Sequence, residues 1–397
     1  MTEELFRHDG YQFEFGAEVV SAEGDRVVLD KTAFYPGGGG QVCDTGFLNG
    51  VCVTETFYGE DGNIVHIVPG NSFKKGDGVW GSVDWERRFD LMAGHTGEHL
   101  LFCSLKREVP DLEIVKIFIS PENKYVIVNG EIGWETVRKA LRFANSVISD
   151  NLTVERVMMS RDDPDFKEKV RMKAERLPEK GDVCIVEIGD IDYSACSGIH
   201  VMETSEIGML FVDRIVSAGR DGTSVHFKVG KAAAEAAAEL AMTCMETAEA
   251  ADSKPEDLVK AVSNLKRESE FMKKALRKVT GSVLSSVVPI LENGNEIYAA
   301  SVPGADRGIL SEKAEKVKKD GGTAIFVSEG ESLSVIVSSG NENVDCKKIL
   351  GETLREFGGR GGGKKDFAQG GVPDTDVSEK LLAALVEKAK EAVSAQR

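Results

Sequence analysis

No apolar run in the 397-residue chain approaches the roughly 20 residues that a membrane-spanning helix needs, so no membrane role is expected. The N-terminus, Met1-Thr2-Glu3-Glu4-Leu5-Phe6-Arg7, lacks the apolar core of a signal peptide, which removes the usual route to an oxidising compartment and points to the cytoplasm. Cysteine is sparse. The seven residues Cys43, Cys52, Cys103, Cys184, Cys196, Cys244 and Cys346 are scattered and odd in number, which excludes a disulfide framework and makes most of them small buried apolar residues. Basic charge is short as well: 49 Lys and Arg stand against 66 Asp and Glu, a net charge of -17. Uniform attraction to a polyanion is thereby excluded, and any RNA binding has to use local basic patches.

What is present is the composition of an ordinary soluble globular protein, 41% hydrophobic and 29% charged, in a chain long enough for at least three domains. From Phe13 to about Val83 short strands such as Val27-Leu29 and Val51-Val53 alternate with Gly, Asn and Asp turns, predicting a β-barrel-like domain over 1–87. Within it lies Phe34-Tyr35-Pro36-Gly37-Gly38-Gly39-Gly40-Gln41, which reads either as a sharp turn or as a loop that hugs a ligand. An α+β core follows over 88–230. Its predicted elements are a helix from Arg88 to Arg107, strands near 113–119 and 124–128, a helix near 135–149, and strands near 183–188 and 208–215.

Residues 231–280 change character. Ala233, Ala237, Leu240, Cys244, Thr247 and Ala251 fall on alternating four and three spacing, and Leu258, Val262, Leu265, Ser269, Met272, Leu276 and Val279 repeat it. Between the two runs, Ser253 is placed to cap a helix and Pro255 to sit in its first turn, predicting an antiparallel helical hairpin that closes either within the chain or as a dimerisation arm. Strands near 296–302, 323–326 and 333–337 then alternate with helices near 310–319, 346–357 and 377–395, an α/β domain over 281–397. Between its last two helices runs Gly358 to Gly371, glycine-rich and holding Arg360, Lys364 and Lys365. The stretch from Lys347 to Lys365 has six Lys or Arg against two Glu, so this segment reads as a flexible phosphate cradle or as a solvated linker. The fold class is α+β multidomain.

Two short motifs carry the chemistry. His95 and His99, four apart on a predicted helix, present both imidazoles on one face. Cys196 and His200 flank a Gly-containing turn just after a strand, and half of the six histidines in the chain sit in these two motifs. A His3Cys set suits zinc and disfavours magnesium and calcium. Four protein ligands lean towards a structural site, because catalytic zinc keeps a position open for water. Thr96 stands where an HExxH protease has its glutamate, so a protease is not expected. Glu98 reads as an exposed helix charge.

His95-Thr96-Gly97-Glu98-His99 with Cys196-Ser197-Gly198-Ile199-His200 resembles the paired zinc motifs of the alanyl-tRNA synthetase editing domain and of the free-standing AlaX proteins. Thr32-Ala33-Phe34-Tyr35-Pro36-Gly37-Gly38-Gly39-Gly40-Gln41 with Asp44-Thr45-Gly46 is similar to the AlaX glycine-rich motif. Asp84-Trp85-Glu86-Arg87-Arg88 is similar to the lead-in to its histidine helix, and Gly358 to Gly371 resembles the DHHA1-type C-terminal domain. The resemblance implies the long form of AlaX, a zinc-dependent hydrolase that removes serine, or glycine, from mischarged alanine tRNA and, having no class II catalytic core ahead of the β domain, does not charge tRNA. By the same resemblance His95, His99, Cys196 and His200 hold zinc, Gln41 is a polar residue at the reacting end and Thr32 recognises the serine hydroxyl, while the local basic charge of the C-terminal segment makes Arg360, Lys364 and Lys365 the residues expected to help hold tRNA. A homodimer through the helical arm and C-terminal domain is compatible with this. The alternative is a non-catalytic tRNA-binding or dimerisation module with a structural zinc. Ser197 and Ile199 depart from the usual Cys-Gly-Gly-Thr-His, which puts the pocket floor and substrate choice in question.

Overall fold

The computed structural model describes residues 1–172 and 181–394, so the expected helix end at Ala395 lies outside the described residues. The chain divides into two compact units, Met1–Glu246 and Thr247–Arg397. No helix among the described residues is long and apolar enough to cross a membrane.

The first unit opens with a seven-stranded antiparallel sheet, ordered Val51–Val53, Gly46–Leu48, Gly78–Val83, Glu14–Glu23, Arg26–Leu29, Ile64–Ile67 and Glu55–Tyr58. Its two edge strands are consecutive in the chain, with only Thr54 between them, so the sheet curls until its edges approach each other. Alternating side chains such as Phe15, Val19, Val27, Leu29, Phe34 and Leu48 fill this barrel-like sheet.

Helix α1, Trp85–Glu108, begins three residues earlier than the pattern predicts because Asp84 caps it, its carboxylate accepting the Arg87 N–H at 3.2 Å. With helix α2, Trp134–Asp150, it packs on a four-stranded antiparallel sheet ordered Ile114–Ile119, Lys124–Val128, Thr223–Val229 and Leu210–Ser217. The strand Thr223–Val229 is an addition to the expected elements. A third sheet, Val154–Met159, Val183–Ile188 and Asp192–Ala195, leads directly into Cys196. A short helix, α3, covers Pro164–Lys169. Between Leu91 and Leu105, α1 is buried around nearly its whole circumference, not on one face alone. The expectation that Glu98 is an exposed charge is therefore wrong, since its side chain is fully buried. The cysteine expectation also needs correction. Only Cys346 is buried, Cys52 is exposed and the other five are half-buried.

Helix α4, Gly230–Ala250, is followed by a 3-10 turn at Pro255–Asp257 and by helix α5, Leu258–Ser286. Pro255 takes the first position of that turn, whereas Ser253 caps nothing and its hydroxyl donates to the Lys254 carbonyl. The regular spacing of the sequence does not mark a buried seam: Val262, Leu265, Met272, Leu276 and Val279 are all 40% exposed or more.

The second unit's sheet has six strands, ordered Ile290–Glu292, Asn295–Pro303, Thr323–Glu329, Leu333–Ser339, Phe367–Val372 and Arg360–Gly363, with one parallel pair bridged by helix α6, Arg307–Lys319. Helix α6 covers one face, on Ala324, Phe326 and Ile336. Helices α7, Cys346–Glu356, and α8, Ser378–Ser394, cover the other, on Ile325, Val327, Val335 and Val337. The glycine-rich run from Gly358 is not a flexible loop or linker. It is a paired edge hairpin, with Arg360 opposite Gly371 and Gly363 opposite Ala368.

Candidate metal centre

The glycine run Gly37–Gly40 has positive φ throughout, from +64 to +139, a path that residues with a Cβ adopt only under strain. It lies against the edge strand Ile114–Ile119, with the Ile119 N–H donating to the Gly40 carbonyl at 2.8 Å and the Val42 N–H to the Ile119 carbonyl at 3.0 Å. A Cβ on Gly40 would run into the Ile117 backbone. The loop is clamped from behind by the fully buried Arg88–Asp44 pair. Arg88 also donates to the carbonyls of Gly10 and Ala33, while Asp44 accepts the Tyr35 N–H at 2.6 Å. Two segments well separated in the sequence, Asp44 to Gly46 and Asp84 to Arg88, are thus one anchor, and its product is the position of Gln41.

His95 and His99 project from α1, and the turn after Asp192–Ala195 brings Cys196 and His200 to them. One ligand atom from each of the four lies within 4.8 Å of all the others. Sγ of Cys196 is 3.5 Å from Nε2 of His95 and 3.4 Å from Nε2 of His200. Gly198 permits the approach, because a Cβ there would collide with the His95 ring. Ile199 turns into the apolar core and Ser197 is exposed, so neither replaces a ligand group.

Each imidazole has an acceptor at Nδ1, leaving Nε2 for a cation. Nδ1 of His95 donates to Oε1 of Gln41 at 2.8 Å. The Thr96 hydroxyl gives its proton to the Met92 carbonyl, so towards Nδ1 of His200, 3.1 Å away, it acts as acceptor. Nδ1 of His99 faces Oδ2 of Asp192 at 3.3 Å, an ion-pair contact and not a well-aligned hydrogen bond. Burial opposes the thiolate of Cys196, yet His95 and His200 hold its thiol well below the ordinary value. Burial, aided by the nearby His95, lowers His200 to about 3. Burial likewise opposes charge on His99, but Asp192 and Cys196 push it up to about 10. Thiolate, imidazoles turned to present Nε2, and a partner behind each ring are what a zinc-type site requires. Thr96 and Asp192 are parts of the site that the motifs alone do not reveal. Their signal in the sequence is only adjacency, Thr96 beside His95 and Asp192 at the head of the run ending in His200.

Three of the four ligands, His95, His99 and Cys196, line a cavity of about 1520 Å³ whose walls include Gly39, Phe102, Cys103 and Arg171. That exceeds the roughly 300–1,000 Å³ of small-molecule sites. Gln41 is 3% exposed and not part of that lining, and its Nε2 has no hydrogen-bond partner among the described residues, so this amide donor stands free beside the cluster. Thr32 lies elsewhere: fully buried, its hydroxyl bonds Nε2 of His66 at 2.8 Å and accepts the Phe34 N–H at 3.1 Å, and it does not line the cavity. Both oxygens of Glu98 lack hydrogen-bond partners among the described residues, and burial raises its pKa. Arg360, Lys364 and Lys365 are exposed on the edge hairpin of the second unit.

Comparison with known families places domains of the alanyl-tRNA synthetase type along this chain. The DHHA1 domain matches residues 294–394, the class II (A) tRNA synthetases match 7–87, and the threonyl and alanyl tRNA synthetase second additional domain matches 183–219. The chain is, more narrowly, a homologue of the alanyl-tRNA editing protein AlaX-L of Pyrococcus horikoshii, at 28% identity across 94% of this chain and 95% of that protein. It is 30% identical to the alanine–tRNA ligase of Ignicoccus hospitalis over 100% of its own length and 44% of the ligase, and 31% identical to that of Pyrobaculum calidifontis over 99% and 44%. The chain thus spans less than half the length of those ligases. Among solved structures, the C-Ala domain from Aquifex aeolicus alanyl-tRNA synthetase aligns with 27% of this chain at 19% identity and a TM-score of 0.24, too low to inform the site.

Proposed function

We propose that the chain is a zinc-dependent trans-editing deacylase that hydrolyses the ester of mischarged alanine tRNA, serine foremost and glycine second. The observation that carries this reading is the free Nε2 of Gln41, a buried amide donor held beside the ligand cluster by the hydrogen bond between its Oε1 and His95. A donor so placed is satisfied by serine's hydroxyl and left unsatisfied by alanine's methyl group, the stronger direction of discrimination. His95, His99, Cys196 and His200 would hold the zinc, which supplies Lewis acidity when bound. Gln41 orients the acyl end. Thr32 has no part in this reading, because its hydroxyl proton is already committed to His66. Arg360, Lys364 and Lys365 contact the tRNA backbone, and the exposed apolar positions of α5 pair with a second copy in a cytoplasmic homodimer.

The test is incubation with Ser-tRNA(Ala) and Gly-tRNA(Ala), following release of the amino acid against a His95→Ala/His99→Ala control of measured zinc content. Absence of release above that control sinks the enzymatic reading. One observation favours a second reading, a tRNA-binding or dimerisation module with structural zinc: four protein ligands converge and each imidazole is backed, as in closed sites. If chelation unfolds the protein while the zinc-loaded form binds tRNA and hydrolyses no aminoacyl ester, that reading stands.

A further inference from the structure

Among the three groups behind the imidazoles, Gln41 and Thr96 are neutral and Asp192 is a carboxylate. Asp192 is 5% exposed and thoroughly held. Arg171 reaches it with two nitrogens, Nε to Oδ1 at 3.3 Å and Nη2 to Oδ2 at 3.1 Å, and the Ser194 hydroxyl donates to Oδ2 at 2.5 Å. Arg171 is fixed in turn. Its backbone pairs with the Asp192–Ala195 strand through Arg171 N–H to the Tyr193 carbonyl at 2.7 Å and Ala195 N–H to the Arg171 carbonyl at 2.9 Å, and its guanidinium lies over the Phe102 ring at 4.7 Å. Nδ1 of His99 is buried and has no hydrogen-bond partner among the described residues, so the 3.3 Å contact with Oδ2 of Asp192 is what faces it.

We infer that Asp192, anchored by Arg171 and Ser194, is the positioning residue for His99: it holds the ring with Nδ1 turned inward and Nε2 towards the metal, and it supplies the one negative charge behind the imidazoles. The inference rests on the reading of His95, His99, Cys196 and His200 as a metal site. A charged partner directly behind a ligand imidazole raises its donor strength as well as fixing its orientation. Arg171 has a second consequence here. Because it neutralises the far side of Asp192, the carboxylate is kept in place without having to ligate the metal itself.

The experiment uses the full chain and compares wild type with Asp192→Ala, Asp192→Asn, Arg171→Met and, as a control, Glu98→Gln. Zinc affinity is read by competition with a chromophoric chelator, and ligand geometry by the visible absorption of the cobalt(II)-loaded protein. Asp192→Ala should lose about 10–100-fold in zinc affinity and weaken the tetrahedral cobalt bands, with Asp192→Asn between it and wild type because it keeps an acceptor oxygen. Glu98→Gln should change both readouts less than Asp192→Asn does, since the Glu98 oxygens make no hydrogen bond among the described residues. A folded Asp192→Ala protein with wild-type affinity and spectrum overturns the inference. If that variant does not fold, wild-type values in both Asp192→Asn and Arg171→Met overturn it equally. Loss of affinity in a protein that deacylates nothing would leave the role of Asp192 standing while the proposed activity falls.

Discussion

Two glycine-rich segments of this chain have similar composition and opposite fates. Gly37–Gly40 is bent through four positive φ values, packed against Ile117 and Ile119, and backed by a buried ion pair. Arg360–Gly363 is extended, paired on one side only, and exposed along its length. The first uses the absence of a Cβ to bring backbone against backbone and deliver Gln41. In the second, the same absence lets the Gly370–Gly371 strand lie close under its partner, leaving Arg360 free on the edge. Glycine content alone does not set conformation or burial; what the neighbouring segments offer decides both.

The sharpest way to break this contrast is to cut the anchor of the first segment. Arg88→Ala leaves Asp44 buried without its cation and should cost about 3–5 kcal/mol in denaturant unfolding. An unchanged midpoint would show that the clamp is not what holds the loop. Acid should loosen the same region through His66, which is fully buried and lowered to about 4 by burial. The unfolded chain takes up that proton near pH 6.5 and the folded one does not. Stability from this group is therefore complete above about pH 6.5 and falls by about 3 kcal/mol as pH drops to 4. Thermal melts across that window check it, and His66→Gln should flatten the slope.

Gly40→Ala, at φ +105 with the Ile117 backbone in the way, should cost about 2 kcal/mol and most of the deacylation, whereas Gly362→Ala, with nothing near its Cβ, should cost a few tenths. Equal effects at the two positions would erase the comparison. The smallest effect on folding is expected from Arg360→Glu/Lys364→Glu/Lys365→Glu. Unfolding should be nearly unchanged, while tRNA affinity drops about 10-fold at low salt and its salt dependence flattens.

Much of the local structure is legible in the sequence. The strands at 124–128 and 183–188 match the sequence pattern residue for residue, and most helix ends lie within a few residues of it. These segments carry strong periodicity and stand between clear turn signals, so local pattern suffices. Thr223–Val229 escapes such a reading: it is a central strand, paired on one side with the neighbouring Leu210–Ser217 and on the other with the remote Lys124–Val128. Glu98 misleads because a helix buried on every side has no polar face, whatever its spacing suggests. The apolar positions of α5 do form a stripe, but a stripe does not say what covers it.

The zinc-type donor set was determined by the sequence itself. His95 and His99 share a helical face by the geometry of the helix, and Cys196 and His200 share a turn by their spacing, so each pair is a local fact. Only the tertiary structure decided how those donors are turned. The Nδ1 partners are Gln41, Asp192 and Thr96, and each reaches its histidine from another segment, 54, 93 and 104 residues away along the chain. Orientation of an imidazole depends on a contact of about 3 Å, and contacts between remote segments exist only once the core that brings them together has formed.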